Sequence, residues 1–156
     1  MAKSIIVGVI SDTHGLLRPE AVAALRGSDL IIHAGDVGRP EVIEQLRAIA
    51  PIFVVRGNID QASWAAGLPM TETVEVGGLR FFVLHEIAQL DFDPAAAGIA
   101  AVVFGHSHRP LIETRAGVLF LNPGSAGPRR FKLPVTVARA TVSGGRVRAQ
   151  IVKLQV

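Results

Sequence analysis

The sequence has 156 residues, of which 49% are apolar and 19% charged; this suffices for one domain with a sizeable core and excludes a disordered polyelectrolyte. Lys and Arg number 16 against 13 Asp and Glu, and so small an excess does not mark a nucleic-acid surface. Cysteine is absent, which excludes disulfides and thiolate metal sites and fits a reducing, cytoplasmic setting.

The chain opens on Ile5 to Ile10, an apolar run rich in branched residues. It is too short to span a membrane, and Asp12, His14 and Arg18 follow it at once, so it reads as a strand buried on both faces and not as an export signal. Ser11 to Gly15 forms a polar loop. A helix is expected from about Pro19 through Leu25, closed by Gly27. A second strand, Leu30 to His33, leads into the loop Ala34-Gly35-Asp36. A second helix starts near Pro40, with Val42, Ile43, Leu46 and Ile49 on one face. After Pro51 comes the strand Ile52 to Val55, ending in Arg56-Gly57-Asn58.

This alternation predicts a mostly parallel sheet. The second half differs. Glu72 to Val76 and Leu79 to Leu84 flank the turn Gly77-Gly78, and Ala100 to Phe104 is another buried strand. Ile112 to Thr114 and Val118 to Leu121 flank Arg115-Ala116-Gly117, while Pro134 to Thr141 and Arg146 to Leu154 flank Ser143-Gly144-Gly145. The tail is thus rich in antiparallel hairpins. No repeat or linker interrupts it, and residues 1–156 read as one domain.

Strand ends carry the chemistry. The loops after the apolar runs present Asp12 and His14, Asp36, Asn58, His85, then His106 and His108, and four of the five histidines fall in this set. In open α/β sheets, ligands bind beyond the carboxyl ends of the strands. Carboxylate, amide oxygen and imidazole suit Mn, Fe, Co, Ni or Zn, and this many ligands suit two cations sharing a carboxylate. Asp12/His14 and His106/His108 stand at i and i+2, so an extended loop would aim each pair the same way. His33 reads as a hydrogen-bonded interior residue, Asp60 as a turn or cap residue, Glu86 as a solvated glutamate and Trp64 as a packing anchor.

The strings Ser11-Asp12-Thr13-His14-Gly15, Gly35-Asp36-Val37, Gly57-Asn58-Ile59-Asp60, Leu84-His85, Gly105-His106-Ser107-His108 and Asn122-Pro123-Gly124-Ser125 resemble the calcineurin-like metallophosphoesterases, specifically their small single-domain prokaryotic phosphodiesterase branch. The resemblance implies an α/β four-layer α/β/β/α sandwich with mixed sheets. It also implies two divalent cations, with Mn favoured. Asp12, His14, Asp36 and His108 would hold the first, and Asp36, Asn58, His85 and His106 the second. Asp36, Asn58 and His85 would carry catalysis, a metal-activated water hydrolysing the phosphodiester.

Two positions depart from the family pattern. Glu86 stands where the family usually has glycine. Ile59 stands where many larger relatives have a histidine able to protonate the leaving group, so leaving groups of low pKa are expected to depart best. Asn122 to Ser125 is expected to make a turn supporting the metal rim, with Arg129 and Arg130 solvated behind it. The expected partner is a small phosphate ester, with neither membrane nor nucleic acid involved and a homodimer as a further expectation. The alternatives are a phosphomonoesterase and a non-catalytic scaffold of the same fold, as in the eukaryotic retromer. The scaffold reading predicts missing histidine ligands.

Overall fold

The computed structural model describes residues 3–156. Two mixed sheets of five strands each lie face to face. The first is built from β1 (Ile5–Ile10), β2 (Leu30–His33), β3 (Ile52–Val54), β9 (Thr136–Ser143) and β10 (Arg146–Lys153), in the order β10-β9-β1-β2-β3. The second takes β4 (Thr71–Val76), β5 (Leu79–Leu84), β6 (Ala101–Val103), β7 (Leu111–Arg115) and β8 (Val118–Asn122), in the order β4-β5-β6-β8-β7. β1, β2 and β3 are parallel, joined by α1 (Pro19–Leu25) and α2 (Pro40–Arg47), and the hairpin β9–β10 extends them antiparallel.

Alternation along each strand divides the interior into three apolar layers. Val7 and Val9 point between the sheets, where they meet Ile32, Phe81, Val83, Val103 and Leu121. Ile10 and Ile31 point outward, under Leu25 of α1 and Val42 and Leu46 of α2. On the far side of the second sheet, Val102, Phe104 and Phe120 lie beneath Ile87, Leu90 and Ile99. That fourth layer is thin: its only regular element among the described residues is a 3₁₀ turn, Ile87–Gln89. The four-layer α/β/β/α arrangement therefore holds, with its outer helical cover concentrated on one side.

Both helices start with proline in the first turn, which fixes φ where the amide proton has no intrahelical partner. α2 is shorter than the apolar spacing predicts. It ends at Arg47, and Ile49 packs from the turn beyond it. Trp64 packs against the same layer beneath α2. No helix among the described residues is long and apolar enough to cross a membrane.

Gly8 sets how closely α1 approaches the sheet. A Cβ there would lie 2.6 Å from Ser28 Oγ and 2.8 Å from Leu25 Cδ2. Gly8→Ala is accordingly expected to cost about 1–3 kcal/mol by overpacking, read from urea unfolding. A loss below about 0.5 kcal/mol would show that α1 is not seated as described.

Candidate metal centre

All seven candidate ligands gather at one end of the two sheets, beyond the carboxyl ends of β1, β2, β3, β5 and β6. The pairing of β1 with β2 continues past the strands: Asp12 N–H donates to Gly35 O, His14 N–H to Asp36 O and Gly15 N–H to Val37 O, at 2.8–3.0 Å. The loops are not extended, contrary to the sequence expectation. Asp12, His14, Asp36, His106 and His108 have φ of 56°, 47°, 56°, 71° and 64°, in the left-handed region. Each chain reverses over its pair of ligands, which turns the side chains inward by backbone curvature instead of by alternation. Such strain persists only where the surroundings impose it, and it concentrates at functional sites.

Glycines let these loops touch. A Cβ on Gly57 would collide with the backbone and carboxylate of Asp36, and one on Gly105 with Ser11 Oγ. The glycine before Asn58 and the one before His106 are therefore sites of close approach between neighbouring loops.

Two ligand sets emerge. In the first, Asp12 Oδ1 lies 3.8 Å from His14 Nε2 and 3.4 Å from His108 Nε2, and His14 Nε2 is 3.6 Å from Asp36 Oδ2. In the second, His85 Nε2 lies 3.3 Å from the same Asp36 oxygen. The inward atom of the Asn58 amide sits 3.0 Å from His85 Nε2, 3.2 Å from His106 Nδ1, and 3.2 and 3.3 Å from the two Asp36 oxygens. Asp36 has contacts in both groups, and so does Asp12, which is common to the two tight clusters Asp12-His14-His108 and Asp12-Asp36-His85. Asp12 Oδ1 also approaches His85 Nε2, at 3.9 Å.

The chemistry of these contacts fits cations. Asp12 Oδ1 and His14 Nε2, which face the cluster, are buried without a hydrogen-bond partner; His108 Nδ1, the ring nitrogen opposite the one near Asp12, is unpartnered as well. Buried polar atoms are rarely left so. With its oxygen inward, Asn58 faces only electron-pair donors, an arrangement that a shared positive ion reconciles.

Protonation follows the same logic. Burial pushes the His14 imidazole below its ordinary pKa, against the pull of Asp36 and Asp12. Burial also opposes charge on His85, but its hydrogen bond to Asp36 and the charges of Asp12 and Asp36 win, and its pKa rises. Asp36 is lowered despite its burial, because His85 and the Ile59 N–H, 3.0 Å from Oδ1, stabilise the carboxylate. Without a cation, a proton on His85 compensates Asp36, so metal binding competes with that proton.

Three supports hold the cluster. His33 is fully buried: its Nδ1 accepts from Gly35 N–H at 3.1 Å, so the proton sits on Nε2 and is donated to Thr13 Oγ1, also at 3.1 Å. Thr13 in turn donates to Val37 O at 2.8 Å, which ties the Asp12 loop to the Asp36 loop. Asn122 donates to Gly105 O and Ser107 Oγ, and Ser125 Oγ donates to Asp12 O, so the Asn122–Ser125 turn braces both the Asp12 and His106 loops.

The third support is Asp60, which is more than the turn or cap residue expected from sequence. Its buried carboxylate accepts from Val37 N–H (3.1 Å), Gly38 N–H (3.0 Å) and Gly57 N–H (2.9 Å), clamping the Asp36 loop to the Asn58 loop. Sequence reading missed this because its partners are backbone amides, which leave no side-chain pattern. Glu86 also departs from expectation: it is half-exposed, and its Oε1 lies 3.6 Å from His106 Nε2. Arg129 donates to Val156 O at the surface, and the charge of Arg130 opposes protonation of His14.

Residues 5–145 match the model of the calcineurin-like phosphoesterase superfamily domain. The chain belongs to this superfamily. It is 32% identical to a probable metallophosphoesterase of Methanothermobacter thermautotrophicus, over 95% of this chain and 92% of the relative. It is 28% identical to a phosphodiesterase of Methanocaldococcus jannaschii, over 76% of this chain and 82% of the relative. Its fold is that of Vps29 from Chaetomium thermophilum, with TM-score 0.77 at 20% identity, covering 96% of this chain and 97% of that one. The superfamily is one of metal-dependent phosphoesterases, and the ligand groups seen here fit divalent cations.

Two outcomes are expected. Asp60→Ala leaves two buried amides and one part-buried amide unpaired and should destabilise by about 3 kcal/mol or more, measured by denaturant titration. His33 has its pKa depressed by burial to about 4. It stays neutral in the folded chain while the unfolded chain takes up a proton below about 6.5, so stability should fall by about 3 kcal/mol as pH drops from 6.5 to 4. His33→Asn should lose that slope; an unchanged slope would mean that other groups produce it.

Proposed function

We propose that this chain is a binuclear, metal-dependent phosphodiesterase whose single domain works with two Mn²⁺ ions. The observation that carries the reading is the sharing of Asp36: one of its oxygens lies 3.6 Å from His14 and 3.3 Å from His85, between two sets of electron-pair donors. Asp12, His14, Asp36 and His108 hold one ion; Asp36, Asn58, His85 and His106 hold the other. When bound, such a pair supplies an activated water and offsets charge on the phosphoryl oxygens.

The protein's own groups set the conditions. Two ions against Asp12, Asp36 and a hydroxide leave about one positive charge, which matches a singly charged diester. Ile59 is exposed on the rim and cannot transfer a proton, although its backbone N–H fixes the bridging carboxylate. Good leaving groups should therefore react best. The charge of Arg130 reaches His14 and adds positive potential for an incoming phosphate. The relative from Methanocaldococcus jannaschii, which bears the name phosphodiesterase, supports the diester reading. The scaffold alternative expects lost histidines, whereas His14, His85, His106 and His108 are all present and converge.

The test is hydrolysis of bis(p-nitrophenyl) phosphate by protein stripped of metal and reloaded with Mn²⁺. Turnover should appear on reloading and fall roughly 100-fold or more in Asp36→Asn. Equal rates in the two proteins would refute a catalytic role for the shared carboxylate.

A further inference from the structure

His106 differs from the other candidate ligands in how its ring is held. Its Nδ1 edge faces the cluster, 3.2 Å from the Asn58 amide. The two ring nitrogens of an imidazole diverge, so one cation cannot take both. For Nδ1 to donate an electron pair, the ring proton must reside on Nε2. Histidines that bind metal generally donate this second N–H to a carboxylate or carbonyl, which fixes both tautomer and ring orientation.

His85 meets this requirement through the backbone. Its Nδ1 donates to Ala34 O at 2.7 Å, leaving Nε2 for the cluster. No backbone carbonyl serves His106 in this way among the described hydrogen bonds. What faces its Nε2 is the Glu86 carboxylate, at 3.6 Å.

The local backbone explains how Glu86 arrives there. It follows His85 directly and is extended, with φ −119° and ψ 115°. Successive side chains on extended backbone leave on opposite sides. His85 therefore turns into the cluster while Glu86 passes around the outer edge of His106. The His85 and His106 rings meet edge to face, centroids 5.3 Å apart, so Glu86 is adjacent in space to the ring it serves. A glycine here would leave that nitrogen facing water.

We propose that Glu86 is a positioning residue: its carboxylate, 3.6 Å from His106 Nε2, attracts the ring proton to that nitrogen and so reserves the Nδ1 electron pair for the cation shared with Asn58, His85 and Asp36. This rests on the two-metal reading above and adds a residue to it. In this role Glu86 acts through the His106 ring and not on the cation itself. It orders one ring of the second ligand set and has no contact with the first. Being half-exposed, it can be replaced without disturbing the core.

Calorimetric titration of the metal-free protein with Mn²⁺ provides the test, using Glu86→Gly and Glu86→Gln. The parent should bind two equivalents. Glu86→Gly should weaken one of them by about 10–100-fold and leave the other within about threefold. Glu86→Gln retains an oxygen that can accept the same proton and should recover most of the loss. Long-range ¹H–¹⁵N spectra of the metal-free parent should report His106 with its proton on Nε2, and the glycine variant should show a mixture of tautomers. Two parent equivalents with both unchanged in Glu86→Gly would overturn this inference alone. No uptake by the parent would overturn the two-metal reading and this inference with it.

Discussion

Electron pairs repel when nothing positive lies between them, and this constraint shapes one whole end of the molecule. Two carboxylates, four imidazoles and an amide are held with contacts of 3.0–3.9 Å, several of them buried and without hydrogen-bond partners. Left to themselves these groups would spread into water. They are kept together by strands that deliver them from five directions and by loops fastened to one another at their backbones. In the absence of cations the His85–Asp36 contact compensates part of the cluster; the remaining unpaired groups are a cost that the apolar layers elsewhere offset.

The fastening is economical. Backbone hydrogen bonds carry the β1–β2 pairing onward into the ligand loops, and Asp60 joins the Asp36 loop to the Asn58 loop through three amides. His33 and Thr13 join the Asp12 loop to the Asp36 loop from below, and Ser125 holds the Asp12 carbonyl from the far side. None of these groups belongs to the proposed ligand sets. Their effect is to hold the loops in which Asp12 and Asp36 adopt left-handed backbone. Function thus depends on a frame of neutral or fully paired groups around a core of unpaired ones.

Much of this was legible in the sequence because burial writes itself into composition. Runs such as Ile5 to Ile10 and Leu79 to Leu84 announce strands, and a polar residue just past each run announces the rim. Gly77-Gly78 and Gly144-Gly145 marked their hairpins correctly. The illegible parts all involve backbone or long-range partners. Asp12-Thr13-His14 carries no sign of left-handed φ, since neither aspartate nor histidine demands it. The donors to Asp60 are amides of residues 37, 38 and 57, which any sequence would supply. Glu86 reads as a surface glutamate until His106, twenty positions later, is known to lie beside it. The thin fourth layer was hidden too, because Ile87, Leu90 and Ile99 cover the second sheet from loop and turn without a helical period.

Diffraction at the manganese absorption edge from a crystal soaked in Mn²⁺ tests the central claim most directly. Two anomalous peaks are expected about 3.5–4 Å apart, one beside His14 and His108, the other beside Asn58, His85 and His106, with the Asp36 carboxylate between them. A single peak, or two peaks with Asp36 touching only one, would contradict the shared-carboxylate account.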